Sequence, residues 1–191
     1  MTLRFLQIIY LGRKAKVTSK LFSSLFSTLS TCYLTIMDRY AISLLNEGRI
    51  GIAAQMTGLA LGAWENAVKY VWNERKQFGQ YIGDFQGMQF QIAQARTEIE
   101  AARALLFNAV RTKEAGESFV REAAMAKLYA SQVAQKVSGS AIEWMGGMGF
   151  VREGLAEKYW RDSKIGAIYE GTSNIQLQTI AKLLQKEYKQ Q

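Results

Sequence analysis

The segment Ile168-Tyr169-Glu170-Gly171-Thr172-Ser173-Asn174 looks least like packing in this sequence. Glu170 lies between a tyrosine and a glycine, after an apolar residue and just ahead of a run with helical spacing. A carboxylate held against apolar and aromatic groups is poorly solvated, which is the setting a general base needs. At a helix start, the amides and hydroxyls of Thr172, Ser173 and Asn174 can meet an anionic or carbonyl-rich ligand. Gly171 lets a flat ligand approach the backbone. The constellation suits a base working beside a planar cofactor, and Glu143-Trp144-Met145-Gly146-Gly147 leads into it. Two further clusters stand out. Asn46-Glu47-Gly48-Arg49 falls in the opening turns of the first long helix, where the plain alternative is a charged helix start. Glu74 to Gly79, leading to Asp84-Phe85-Gln86, reads as a helix exit, a turn and a helix entry. Its plain alternative is a set of cations complementing a helix dipole, about 0.3–1 kcal/mol each.

The elements that must position these residues are helices. The 191 residues contain no proline, so nothing of that kind interrupts long helices. Leu45, Ile52, Met56, Leu59, Ala63, Ala67 and Tyr70 form one apolar stripe at steps of mostly three and four. Phe85, Met88, Ile92, Ala95, Ile99, Ala102, Leu106 and Ala109 form a second. Phe119, Ala123, Ala126, Ala130, Val133, Val137, Ala141 and Trp144 form a third. Breaks fall at Gly79 to Gly83, at Gly116 and at Gly146 to Gly149. A shorter last helix starts near Thr172, with Thr172 or Ser173 as its N-cap. The expected fold is all-α: an antiparallel bundle of three long helices plus a shorter C-terminal one. No strand is expected after residue 38.

Composition narrows the chemistry. Histidine is absent and Cys32 is the only cysteine. Ser-His and Cys-His pairs, thiolate zinc clusters and internal disulfides are thereby excluded, no metal site is expected, and acid–base work falls on carboxylates, lysine or tyrosine. The formal charge of +8 is concentrated in residues 1–37, where Arg4, Arg13, Lys14, Lys16 and Lys20 stand without an acidic residue. The remainder is nearly balanced and shows no basic stripe interleaved with aromatics, so nucleic acid is not an expected partner. Residues 1–37 are also rich in serine and threonine, with Leu21, Phe22, Leu25, Phe26, Leu29 and Tyr33 at helical spacing. That is the composition of an organelle transit peptide; an ordinary structured arm or a gene-model artefact is the alternative. No apolar run approaches the roughly 18 residues of a transmembrane helix. Two segments are expected, 1–37 and a bundle domain over 38–191.

Four segments carry a resemblance: NEGRIGIAAQMTGLALG, ERKQFGQYIGDFQGMQ, EWMGGMGFVREGLAEKYWRD and KIGAIYEGTSNIQ. In this order and spacing, from about Tyr40 to Tyr188, the chain resembles the C-terminal domain of the acyl-CoA dehydrogenase family. It is most similar to the short/branched-chain members. The resemblance implies FAD as cofactor and an acyl-CoA thioester as substrate, oxidised to the trans-2-enoyl-CoA. Glu170 matches the catalytic base. Some relatives take that carboxylate from the residue before the arginine of the NEGR-type segment, which here is Gly48, so Glu170 is expected to act alone. Arg75 and Gln86 match residues that hold the flavin across a subunit interface. Glu143, Trp144, Met145, Gly146 and Gly147 match a second flavin-contacting loop, and Thr172, Ser173 and Asn174 match contacts at the last helix start. Asn46, Glu47, Gly48, Arg49 and Gly171 match the acyl-CoA side. A homotetramer built from dimers, an electron-transferring flavoprotein as electron acceptor and a mitochondrial matrix location (otherwise cytoplasmic) are implied in the same way.

The family has an N-terminal helical domain and a central β-domain ahead of this bundle, and residues 1–37 carry no strand-rich pattern in their place. The chain alone is therefore expected to fold without dehydrogenating. A non-catalytic helical oligomerisation module stands beside the enzyme as the second function class.

Overall fold

The computed structural model describes the backbone of residues 19–189 and the side chains of residues 43–189. The chain divides into two compact units, Met1–Leu44 and Leu45–Gln191, and the packing below is that of the second. The expected targeting function of residues 1–37, the apolar stripe within that segment and Cys32 concern side chains outside the described residues. Six α-helices occur among the described residues: α1 (Ser19–Asn73), α2 (Gln86–Glu114), α3 (Val120–Met145), α4 (Gly147–Phe150), α5 (Ala156–Ser163) and α6 (Ser173–Lys189). Short 3-10 turns at Ile82–Asp84, Arg152–Gly154 and Lys164–Ala167 connect them. No helix of the described residues is long and apolar enough to cross a membrane.

The stripes bury one another, with alanine at the centre. Ala53, Met56, Ala60, Ala63, Ala67 and Val71 of α1 are fully buried. This face lies about one residue round the helix from the expected stripe: Leu45 is exposed, and Ile52, Leu59 and Tyr70 only border the core. Small residues let helix axes approach closely and push bulkier ones to the rim. The α2 stripe holds at Ile92, Ala95, Ile99, Ala102 and Ala109, and the α3 stripe at Ala123, Ala126, Ala130, Val133, Val137, Ala141 and Trp144. Trp64 Nε1 donates to the Ile92 carbonyl at 3.0 Å, and Trp144 Nε1 donates to Gln91 Oε1 at 3.1 Å. These bonds satisfy the indole donors at the α1–α2 and α2–α3 seams.

Two expectations are corrected. The α1–α2 connection contains a small antiparallel hairpin, β1 (Lys76–Gln77) and β2 (Gln80–Tyr81), with Lys76 opposite Tyr81. Its two-residue loop needs positive φ at both positions, and Phe78 and Gly79 supply 54° and 81°. A Phe-Gly loop is a weak hairpin signal, which is why the pattern passed for a plain turn. In addition, Asn46 to Arg49 do not open a helix. Because α1 begins at Ser19, with no glycine or proline between there and Gly48 to break it, they lie in its interior.

Candidate active site

Glu170 is held by a backbone that few residues adopt. It follows the 3-10 turn Lys164–Ala167 and precedes α6, with φ at 52°, and Gly171 follows at 89°. Two successive left-handed residues reverse the chain, and a non-glycine residue there is disfavoured by about 1–2 kcal/mol. Thr172 then caps α6 as expected: its Oγ1 accepts from the Ile175 amide at 3.4 Å. Gln176, buried one turn into α6, donates from Nε2 to the carbonyls of Glu170 (3.2 Å) and Gly171 (2.9 Å).

The Glu170 carboxylate rests against α1 at Gly48. A methyl group on Gly48 would lie 2.7 Å from Oε2 and 2.9 Å from Cδ of Glu170. Position 48 and the Glu170 carboxylate therefore occupy one place. The surroundings differ from the apolar wall expected from the neighbouring residues. Ile168 is 59% exposed, and the Tyr169 hydroxyl turns away to donate to Gln55 Oε1. Burial and the Glu170 charge both push that phenol above its usual range, against the pull of the Gln55 bond. Buried cations are the charged neighbours instead. Burial pushes the Arg49 guanidinium below its ordinary range, and Glu170 pulls it back. Arg49 donates to Asn46 Oδ1 at 3.0 Å, while its buried Nε has no partner. Lys127 of α3 is fully buried and donates to the Gly171 carbonyl at 2.5 Å. Burial, then Arg49, depress its ammonium, and Glu170 opposes them.

Lys127 and Gln176 were not singled out from the sequence. The signal for Lys127 was present: the buried positions Ala123, Lys127, Ala130, Ala134, Val137, Ala141 and Trp144 alternate four and three, and the lysine occupies a core step. Glu47 points elsewhere and pairs with Lys113 on α2 at 3.1 Å.

A second grouping forms at the end of α3. Arg75 donates to the Trp144 carbonyl and, at 3.4 Å, to that of Glu143, so its guanidinium caps carbonyls that a helix end leaves free. A methyl group on Gly146 would lie 2.9 Å from the same guanidinium. Trp144 and Met145 have buried side chains, so this segment offers a ligand its backbone, the exposed Glu143 and the open Gly147. Gln86 is exposed at the first residue of α2; Thr172 and Asn174 are exposed and Ser173 half-buried at the start of α6. These donors fit a phosphate-bearing, flat cofactor in kind: a half-exposed guanidinium with N–H groups to spare, an unobstructed glycine and a helix N-terminus.

Residues 39–185 match the family model described as the acyl-CoA dehydrogenase C-terminal domain. The short/branched chain specific acyl-CoA dehydrogenase, mitochondrial, of Rattus norvegicus is 57% identical over 150 residues, covering 78% of this chain and 34% of that protein. The caffeyl-CoA reductase-Etf complex subunit CarC of Acetobacterium woodii is 41% identical, over 77% of this chain and 38% of its own length. Among solved structures, butyryl-CoA dehydrogenase from Megasphaera elsdenii superposes with a TM-score of 0.72 at 41% identity, covering 73% of this chain and 36% of that one. The chain thus spans about a third of the length of the curated relatives it matches. With α2 to α5, most of α1 and α6, the segment around Glu170 and the α3 end within the matched region, the chain belongs to the acyl-CoA dehydrogenase family.

Proposed function

We propose that this chain is the C-terminal part of a short/branched-chain type acyl-CoA dehydrogenase and that Glu170 is its catalytic base. The observation that carries this reading is the seat of the Glu170 carboxylate, pressed on the bare backbone of Gly48 with Arg49 and Lys127 as charged neighbours. Glu170 accepts the α-proton of the thioester, the β-carbon gives up hydride, and the α,β double bond forms between them. FAD supplies the hydride acceptor when bound. Arg75 and Gln86 would hold its phosphate and adenine portions, with the Glu143–Gly147 backbone and the Thr172–Asn174 helix start beside it. Arg49 and Asn46 are assigned to the acyl-CoA side, their side chains joined by the Arg49–Asn46 hydrogen bond.

The 57% identity to a short/branched chain enzyme supports a short or short-branched acyl group. The same relative supports a mitochondrial matrix location, with residues 1–37 as a separable targeting segment ahead of the matched domain. The Etf-complex relative supports an electron-transferring flavoprotein as acceptor. A homotetramer in which Arg75 and Gln86 reach a neighbouring subunit's flavin completes the reading. The test is a chimera: residues 39–185 replace the corresponding part of a full-length short/branched chain enzyme. Retained flavin, with turnover of 2-methylbutyryl-CoA and butyryl-CoA, is expected. A folded, flavin-free or inert chimera would favour the non-catalytic helical module. The 191-residue chain alone, given excess FAD and an electron acceptor, is expected not to turn over.

A further inference from the structure

Lys127 lies about two turns into α3, with no exposed surface. A buried ammonium is costly unless its donors are well used, and its described bond goes to the carbonyl of Gly171, the residue after Glu170, at 2.5 Å. Gln176 grips the same carbonyl and that of Glu170 from α6. One turn along α3, the buried Ser131 Oγ lies 2.8 Å from the Gly166 carbonyl. Two polar residues at i and i+4, on an otherwise alanine-rich face, thus reach both ends of the segment 166–171, Lys127 through its ammonium and Ser131 through a single hydroxyl proton divided between the Gly166 carbonyl and, at 2.7 Å, the carbonyl of Lys127 itself. Between those ends, Glu170 holds a positive φ, a conformation that persists only where its surroundings over-determine it.

We infer that Lys127 is a positioning residue: its sealed ammonium pins the Glu170–Gly171 backbone in its left-handed turn and so keeps the Glu170 carboxylate seated on α1 at Gly48. An apolar side chain of equal length would fill the same space, but would leave the Gly171 carbonyl with Gln176 alone and remove one of the two buried cations whose charges reach Glu170. The catalytic meaning of this role rests on the proposed function; the pinning itself is a property of this chain and is measurable without cofactor or substrate.

The experiment is residue-resolved amide hydrogen exchange on the full 191-residue chain. Parent, Lys127→Met and Lys127→Arg are compared. In Lys127→Met, the hydrogen-bonded amides that bracket the turn, Tyr169 (to the Ile165 carbonyl) and Gln176 (to the Thr172 carbonyl), are expected to exchange about tenfold faster or more, the loss of one charged hydrogen bond, with core amides of α2 and α3 unchanged. Lys127→Arg, which keeps a cationic donor, should recover part of the protection. If Lys127→Met does not fold, the comparison moves to Lys127→Met in a Glu170→Gln background, where the unbalanced charge is gone and the same loop acceleration is expected. Unchanged loop exchange, acceleration spread evenly over the bundle, or no recovery with arginine would overturn the inference. Failure of the dehydrogenase reading would show separately, as a chimera without Glu170-dependent turnover.

Discussion

Replacing Gly48 by alanine sets two opposed effects against each other. In a helix interior, alanine is favoured over glycine by about 0.8–1.0 kcal/mol, and Gly51, three residues on, has nothing within 4 Å of where a methyl group would sit. Gly51→Ala should therefore stabilise by about that amount and raise Tm by about 2–4 °C. At Gly48 the methyl group would meet Glu170 Oε2 at 2.7 Å. Reaching a normal contact requires the carboxylate to retreat by about 0.7 Å, and overpacking of this kind costs about 1–3 kcal/mol. Gly48→Ala should thus be neutral to about 2 kcal/mol destabilising. Thermal unfolding followed by circular dichroism gives both numbers. In a Glu170→Gly background, where the obstructing side chain is absent, Gly48→Ala should recover the full gain seen at Gly51. Equal stabilisation by both alanines in the parent chain would refute the claim that position 48 and the Glu170 carboxylate share one space.

Arg75→Ala removes the donors that cap the α3 carbonyls of Glu143 and Trp144 and should destabilise by about 1–2 kcal/mol; an unchanged Tm would contradict the cap. Burial alone would raise the Glu98 carboxyl, but hydrogen bonds from Lys136 and Gln94, with the Lys136 charge, bring it below the ordinary value of 4.5. A carboxyl lowered in the folded state stabilises above its unfolded pKa, and that contribution is lost as pH falls through the folded value. Urea midpoints should accordingly drop between about pH 5 and pH 3, and Lys136→Met should lessen the drop; equal losses in both proteins would refute the pairing.

The helical type, the three long helices and the C-terminal one, the breaks at glycine and the stripes of α2 and α3 were legible because a 3–4 spacing of apolar residues reports a buried face directly; the short helices α4 and α5 were not, being too brief to show that spacing. The rotation of the α1 face was less so, since alanine and bulky residues are interleaved there and only packing decides which of them is central. The hairpin at Phe78-Gly79 escaped because a phenylalanine at positive φ is a tertiary outcome with little local signature. At the site, the base segment and Gly48 were readable as residues, but not that they touch: their contact joins α1 to a loop more than a hundred positions away. Lys127 was hidden by its type. A lysine is normally exposed, and only its place on a core step of α3 marks it as buried.

The central claim, that Glu170 is the base, is tested most directly by Glu170→Gln in the chimera. Glutamine keeps the size and the hydrogen-bonding reach of the side chain but cannot accept the α-proton as a carboxylate does. The account predicts that flavin content stays near that of the parent while turnover of 2-methylbutyryl-CoA falls by about 10²–10⁴-fold. Turnover within a few-fold of the parent chimera, with flavin retained, would place the base elsewhere and contradict the account.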